Sequence, residues 1–112
     1  MAEMILIVDD EAGVRELLGD ALRIAGFETS TASDGMSALT AIRNKKTDLL
    51  IIDILMSDMS GYDLVRSLRN DPTISHIPFI FLTAKGMTED RITGYKMGCK
   101  AYLGKPFDPE EL

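Results

Sequence analysis

The chain has 112 residues, of which 46% are apolar and 27% charged, a composition typical of one globular domain and unlike that of a disordered chain. Its net charge of −6 argues against a nucleic-acid-binding surface on the chain itself. No apolar run approaches the roughly 20 residues of a membrane span, and the first residues do not resemble a signal peptide. The single cysteine, Cys99, excludes an internal disulfide, so we expect a cytoplasmic protein without a membrane partner.

Five short segments of apolar or β-branched residues predict β-strands. They lie at residues 4–8, 27–32, 48–52, 77–82 and 100–103. Between them, apolar residues recur at spacings of three and four, which predicts a helix after each of the first four strands. Gly26 and Gly98 are placed to end the first and the fourth helix. Strict alternation of strand and helix indicates an α/β fold in which a parallel sheet carries helices on both faces.

The last residues of the chain begin a further helix. Asp108 is placed as its N-cap, Pro109 as its first residue, and acidic residues follow in the first turn. The sequence stops there, so this fifth helix is truncated. We therefore expect the chain to be the N-terminal part of a longer protein.

Polar residues follow four of the five predicted strands at their carboxyl ends. They are Asp9 and Asp10 after the first strand, Asp53 after the third, Thr83 after the fourth and Lys105 after the fifth. These ends share one edge of a parallel sheet, where ligands bind in such folds, so we expect the side chains to converge. Three carboxylates are ligands that suit Mg²⁺, and a hydroxyl and an ammonium beside them would suit a phosphoryl group.

Asp53 stands alone at the end of the central strand and is the predicted nucleophile. Read singly, each of these side chains has an ordinary structural explanation, and Asp10 is also placed to cap the helix that follows. The coincidence of all of them at successive strand ends favours a functional site.

On these residues the sequence resembles the receiver domains of two-component response regulators, over residues 4–109. The similarity is carried by four segments: Val8-Asp9-Asp10-Glu11; Asp53-Ile54-Leu55-Met56 with Met59 and Gly61; Thr83-Ala84; and Lys105-Pro106-Phe107. The resemblance implies that residues 1–112 form one receiver domain. It also implies a doubly wound, five-stranded parallel sheet in the flavodoxin-like order 2-1-3-4-5.

The resemblance further implies the chemistry of the site. Asp53 would accept a phosphoryl group from a phosphohistidine on a sensor histidine kinase or a phosphotransfer protein. Mg²⁺ would be bound by Asp10, Asp53 and the carbonyl of Leu55, with Asp9 acting through water. Thr83 and Lys105 would bind the oxygens of the phosphoryl group, and the small Ala84 would leave room for it. Tyr102 would turn inward in the conformational change that follows phosphorylation. The bond before Pro106 would be cis.

By the same resemblance the chain would be a signalling domain that catalyses only its own phosphorylation and dephosphorylation. Its surface around the fourth helix and fifth strand would change on phosphorylation and bind an output domain, a partner or a second receiver. The output most often implied is transcription, with DNA bound by a domain absent from this chain. The alternative is a stand-alone receiver that acts in a phosphorelay or regulates a protein partner.

The sequence disfavours three other functions. A phosphatase similar to the haloacid dehalogenases needs an acid two residues after its nucleophile, and Leu55 stands there. No glycine-rich phosphate-binding loop supports a nucleotide site. A degenerate receiver would lack part of the set formed by Asp10, Asp53 and Lys105, and all three are present. The sequence departs from the family at Ser57, where proline is usual, and lacks the acid pair that one DNA-binding subfamily carries at positions 100 and 101.

Overall fold

The computed structural model describes residues 3–83 and a strand at residues 101–104. Strands and helices alternate from the first residues, as the apolar pattern predicts. The elements are β1 (Met4–Val8), α1 (Ala12–Ile24), β2 (Glu28–Ala32), α2 (Gly35–Asn44), β3 (Leu49–Asp53), α3 (Gly61–Arg69), β4 (Phe79–Thr83) and β5 (Ala101–Gly104). The predicted fourth helix and the truncated fifth helix lie outside the described residues.

The strands form one parallel sheet in the order β2-β1-β3-β4-β5. The α/β fold with a parallel sheet is therefore confirmed, and the order is the flavodoxin-like one. β2 lies at an edge of the sheet, and most of its residues are exposed or half-buried, in agreement with its more polar sequence.

Successive residues of the central strands point to opposite faces of the sheet, so each strand contributes to two cores. On one face, Leu6, Val8, Leu50 and Ile52 pack with apolar residues of α2 and α3. On the other face, a second cluster packs against α1; it consists of Ile5, Ile7, Leu18, Leu22, Ile51 and Leu82. This two-sided burial explains why β1 and β3 are continuous apolar runs instead of alternating ones.

Local signals set the ends of the helices. Gly26 follows α1 with φ +101°, a left-handed conformation that glycine adopts without a steric penalty, as its predicted role requires. The side chain of Asp34 accepts a hydrogen bond from the Ser37 N–H and caps α2. Ser60 and Asp63 form a capping box at the start of α3. Among the helices that the structure describes, none has the length and apolar character needed to cross a membrane.

Candidate functional site

Three carboxylates meet at the carboxyl ends of β1 and β3. One oxygen from each of Asp9, Asp10 and Asp53 lies within 4.8 Å of the other two. Asp9 is fully buried and Asp53 is 3% exposed, whereas Asp10 faces solvent. The structure therefore brings together the three acids that the strand-end pattern singled out, with one of them open to an incoming ligand.

Asp53 is held by the main chain around it. The prediction ended the third strand at residue 52, but Asp53 is the last residue of β3 and pairs with Leu82 of β4. The next residue, Ile54, donates its N–H to the Leu82 carbonyl at 3.0 Å, which continues the ladder past the acid. The N–H of Leu55 lies 3.3 Å from Oδ1 of Asp53 and orients the carboxylate. The phosphoacceptor candidate thus sits on the sheet, the most rigid part of the fold, and not on a loop.

Asp9 is fixed by hydrogen bonds on both its main chain and its side chain. Its N–H donates to the Ala32 carbonyl of β2 at 3.1 Å, and its Oδ1 accepts from the Glu11 N–H at 2.9 Å. The N-cap of α1 is Glu11, whose side chain makes no capping bond. The expectation that Asp10 caps this helix is therefore wrong, because α1 begins one residue too late for Asp10 to occupy that position.

The donor set fits a hard divalent cation. Two unit charges about 4.8 Å apart repel by roughly 3–4 kcal/mol at an effective dielectric constant of about 20, and three such pairs arise if all the acids are ionised. Carboxylate oxygens are the preferred ligands of Mg²⁺, which typically takes few protein ligands and retains water. Asp9, Asp10 and Asp53 could together hold such an ion, since a divalent cation would relieve the repulsion among them.

The loop that follows Asp53 is held by hydrogen bonds at its base and at its tip. At the base, the Gly61 N–H donates to the Ile54 carbonyl at 2.8 Å. At the tip, Asp58 accepts hydrogen bonds from the N–H groups of Gly35 and Met36, at 3.0 and 3.1 Å. These hydrogen bonds hold the pKa of Asp58 below its ordinary value of 3.8, and the bond from Gly35 has the largest effect. The loop is thereby tied to the amino end of α2.

Two glycines allow the loop to approach its neighbours closely. A Cβ on Gly61 would lie 2.7 Å from the carbonyl oxygen of Asp53, and a Cβ on Gly35 would lie 2.4 Å from the side chain of Met59. Gly61 belongs to the sequence motif, but nothing local in the sequence indicated a reason for it. The spatial reason is that the start of α3 passes directly against the main chain of the phosphoacceptor candidate.

Sequence reasoning missed two residues beside the site. Arg15 of α1 donates from its guanidinium to the carbonyl oxygen of Asp9 at 2.7 Å. Asp58 is not among the predicted site residues, although it fixes the loop after Asp53 to α2. Neither carries a local signal, because each role depends on a contact that the chain makes only after it has folded.

Of the other predicted site residues, Thr83 lies at the same edge of the sheet, Tyr102 lies within β5, and three fall outside the described residues. Thr83 ends β4, one position beyond the partner of Asp53, and pairs with Gly104 of β5; Tyr102 pairs with Phe81. The structure describes these positions only through their main chain. The remaining predictions, Ala84, Lys105 and Pro106, fall outside the described residues.

The sequence matches the family model of the response regulator receiver domain over residues 5–112. The chain belongs to this family. It is a receiver domain, and its acidic cluster lies at the edge of the sheet where the strand-end pattern predicted it.

Known relatives of this receiver domain are response regulators. The chain is 44% identical over 112 residues to a probable transcriptional regulator, ycf29, of Porphyra purpurea. The alignment covers all of this chain and 54% of that protein. The chain is 43% identical to the DNA-binding response regulator MtrA of Mycolicibacterium paratuberculosis, covering all of this chain and 48% of that protein. The chain thus spans about half the length of these curated relatives.

A solved structure shows the same fold. A putative response regulator from Chloroflexus aurantiacus superimposes with a TM-score of 0.93 at 39% identity, covering 99% of this chain and 91% of that one. The chain therefore has the same overall fold as that response regulator.

Proposed function

We propose that this receiver domain accepts a phosphoryl group on Asp53 from a phosphohistidine of a sensor histidine kinase or phosphotransfer protein, in a reaction that requires Mg²⁺. The phosphorylated domain then changes its surface around the predicted fourth helix and β5, and so controls an output. The observation that carries the proposal is the acidic cluster: Asp53, nearly buried at the end of β3, has oxygens of Asp9 and Asp10 within 4.8 Å.

In the transfer step a carboxylate oxygen of Asp53 forms a bond to phosphorus while the phosphorus–nitrogen bond of the donor breaks. The electron pair of that bond stays on the imidazole nitrogen, which takes up a proton. The hydrogen bond from the Leu55 N–H to Oδ1 keeps the carboxylate oriented during the approach. Burial of Asp53 limits competing contacts with water, which favours attack by a fixed oxygen.

A dianionic donor can enter a cluster of three acids only if their charge is offset. Mg²⁺, when bound, would supply that positive charge. Asp10 and Asp53, with the carbonyl of Leu55, are the proposed protein ligands, and Asp9 acts through water. Asp10 is the exposed member of the cluster, so its carboxylate would be the ligand that is open to solvent.

The remaining residues of the family pattern serve the phosphoryl group after it has arrived. We assign Thr83 and Lys105 to its oxygens, with Ala84 as the small neighbour that leaves room for it. Drawing Thr83 toward the new dianion would favour the conformer in which Tyr102 turns inward. Phosphorylation then acts as a population shift between two existing conformers.

Control of transcription is the output that the relatives favour. Two of them are named as a transcriptional regulator and a DNA-binding response regulator, and each is about twice as long as this chain. The acidic receiver, with a net charge of −6, is poorly suited to bind DNA. DNA binding is therefore assigned to a domain outside this chain, whose activity the receiver would regulate.

The test is phosphorylation by acetyl phosphate, a small donor that needs no kinase. In the presence of Mg²⁺ the wild-type chain should gain one phosphoryl group by intact mass, and Asp53→Asn should gain none. Asp20→Asn is the matched control, since Asp20 is an exposed acid of α1 that pairs with Arg23 away from the site. Stoichiometric labelling of Asp53→Asn would contradict the assignment of the phosphoacceptor.

A further inference from the structure

Arg15 reaches back from the first turns of α1 to the strand that precedes this helix. Its Nη1 donates to the carbonyl oxygen of Asp9 at 2.7 Å, across six residues of chain, and its side chain is half-buried. The main chain of Arg15 is itself held in α1 by a hydrogen bond from its N–H to the Glu11 carbonyl at 3.2 Å. The donor therefore starts from a fixed base, and its charge strengthens the bond.

This contact completes the immobilisation of Asp9. Its N–H is bonded to Ala32, its Oδ1 to the N–H of Glu11, and its carbonyl oxygen to Arg15. The carbonyl belongs to the planar peptide that joins Asp9 to Asp10. Fixing that carbonyl therefore restrains the orientation of this peptide and the position of Cα of Asp10, from which the Asp10 side chain extends.

We propose that Arg15 is a positioning residue for the metal site, acting through the Asp9–Asp10 peptide. The inference rests on the proposed function in one respect, namely that the acidic cluster binds Mg²⁺. Arg15 touches neither the proposed metal nor the phosphoryl group. Its contribution is to hold two of the three acids in the arrangement in which their oxygens meet that of Asp53.

Charge and geometry predict opposite results when Arg15 is removed. A guanidinium beside a cation site repels the cation, so if charge alone mattered, a neutral residue at position 15 would tighten Mg²⁺ binding. If Arg15 positions the acids, its loss frees the peptide, and Mg²⁺ binding weakens although a repelling charge has gone. The sign of the change in affinity therefore separates the two effects.

The experiment is titration of the chain with Mg²⁺ alone, followed by calorimetry, for the wild type, Arg15→Met and Arg15→Lys. Arg15→Met keeps an apolar stem without a donor and should bind Mg²⁺ about tenfold more weakly, the usual effect of losing a group that orients metal ligands. Arg15→Lys keeps a charged donor and should recover most of the affinity, to within about threefold of the wild type.

Arg23→Met is the matched control on the same helix. Arg23 is exposed and bonds Asp20 and the hydroxyl of Thr29, the latter at 2.8 Å, away from the acidic cluster. This variant should bind Mg²⁺ as the wild type does. Urea unfolding of every variant, with and without saturating Mg²⁺, separates a loss of fold from a loss of metal affinity in the folded chain.

Unchanged or tighter binding by folded Arg15→Met would overturn the proposal, because the guanidinium would then act only through its charge or not at all. Equal weakening by Arg15→Met and Arg23→Met would overturn it as well, since the effect would belong to α1 as a whole. If the wild-type chain bound no Mg²⁺, the proposed function itself would fail, and this inference with it.

Discussion

Gly61 lies where the start of α3 passes close to the main chain of the phosphoacceptor candidate. Its position at the start of α3 would favour alanine on helix propensity alone. A Cβ there would nevertheless lie 2.7 Å from the Asp53 carbonyl oxygen and 3.0 Å from Cα of Ile54. Both are main-chain atoms of the sheet end, so neither can move aside without shifting the site.

We therefore expect Gly61→Ala to lower the free energy of unfolding by about 1–3 kcal/mol, the usual cost of forcing a methyl group into a packed region. The same shift should weaken Mg²⁺ binding, because Asp53 moves with its own carbonyl. Urea unfolding measures the first effect and calorimetric titration with Mg²⁺ the second.

Gly13→Ala is the control for this substitution. Gly13 lies in α1, and a Cβ built on it has nothing within 4 Å. The alanine variant should be as stable as the wild type or more stable by about 0.5–1 kcal/mol, because alanine loses less backbone entropy in a helix. Equal stability of the two alanine variants would show that the close approach at Gly61 is tolerated.

At the scale of the elements, the loop between β3 and α3 depends on α2 for its position. Asp58 binds two N–H groups at the amino end of α2, and Met59 covers Gly35. An anion at this end of a helix is also favoured by the helix dipole. The loop also carries Leu55, whose N–H contacts Asp53, so its attachment to α2 bears on the main chain beside the acid.

The lowered pKa of Asp58 predicts how this attachment depends on pH. A carboxyl whose pKa is lower in the folded than in the unfolded protein stabilises the fold above the unfolded value and loses that contribution as the pH falls. The stability difference between the wild type and Asp58→Ala should therefore be largest near neutral pH and should shrink as the pH falls through 3.8 and below. Urea unfolding at several pH values measures it.

Ser57→Ala provides the control, since Ser57 is exposed in the same loop. Its stability difference from the wild type should not vary with pH over this range. A pH-independent difference for Asp58→Ala would mean that the carboxylate contributes through its shape or packing and not through its ionised form.

The strands and the glycine that ends α1 were predictable because their signals are local. The apolar runs that form β1 and β3 and the glycine after α1 each act within a few residues of themselves, whereas the start of α1 was predicted wrongly. The ends of the strands were less predictable: β3 includes Asp53, because pairing with Leu82 extends the ladder by one residue. Sheet pairing is a tertiary contact, and the sequence of one strand does not reveal its length.

At the scale of the whole molecule, the parallel sheet explains why sequence reasoning could identify the acidic cluster. Asp9 and Asp10 lie more than 40 residues from Asp53 in the chain, but parallel strands place all carboxyl ends at one edge. The contacts of Arg15 and Asp58 were not predictable in this way. They join a helix or a loop to a neighbouring element, and no topological rule specifies which side chains meet there.

Lys105→Ala tests whether Lys105, after the fifth strand, is needed for the response to phosphorylation and not for metal binding. We expect this variant to bind Mg²⁺ as well as the wild type, because the three acids remain. Its response to phosphorylation should be lost, since the ammonium that we assign to the phosphoryl oxygens is gone. The response is the change in amide chemical shifts after acetyl phosphate is added.

Lys45→Ala, at the exposed end of α2, is the control and should respond as the wild type does. If Lys105→Ala still shows the full set of chemical-shift changes on phosphorylation, the role proposed for Lys105 is wrong. A chain that loses Mg²⁺ affinity would instead place Lys105 in the support of the acids.

The central claim, that Asp53 is the phosphoacceptor, is tested most directly by locating the phosphoryl group. The chain is treated with acetyl phosphate and Mg²⁺, reduced with borohydride, which converts an aspartyl phosphate to homoserine, and sequenced by tandem mass spectrometry. We predict homoserine at position 53 alone, and none when Mg²⁺ is removed by a chelator. Homoserine at Asp9 or Asp10, or a phosphoryl group that resists reduction on another residue, would contradict the account.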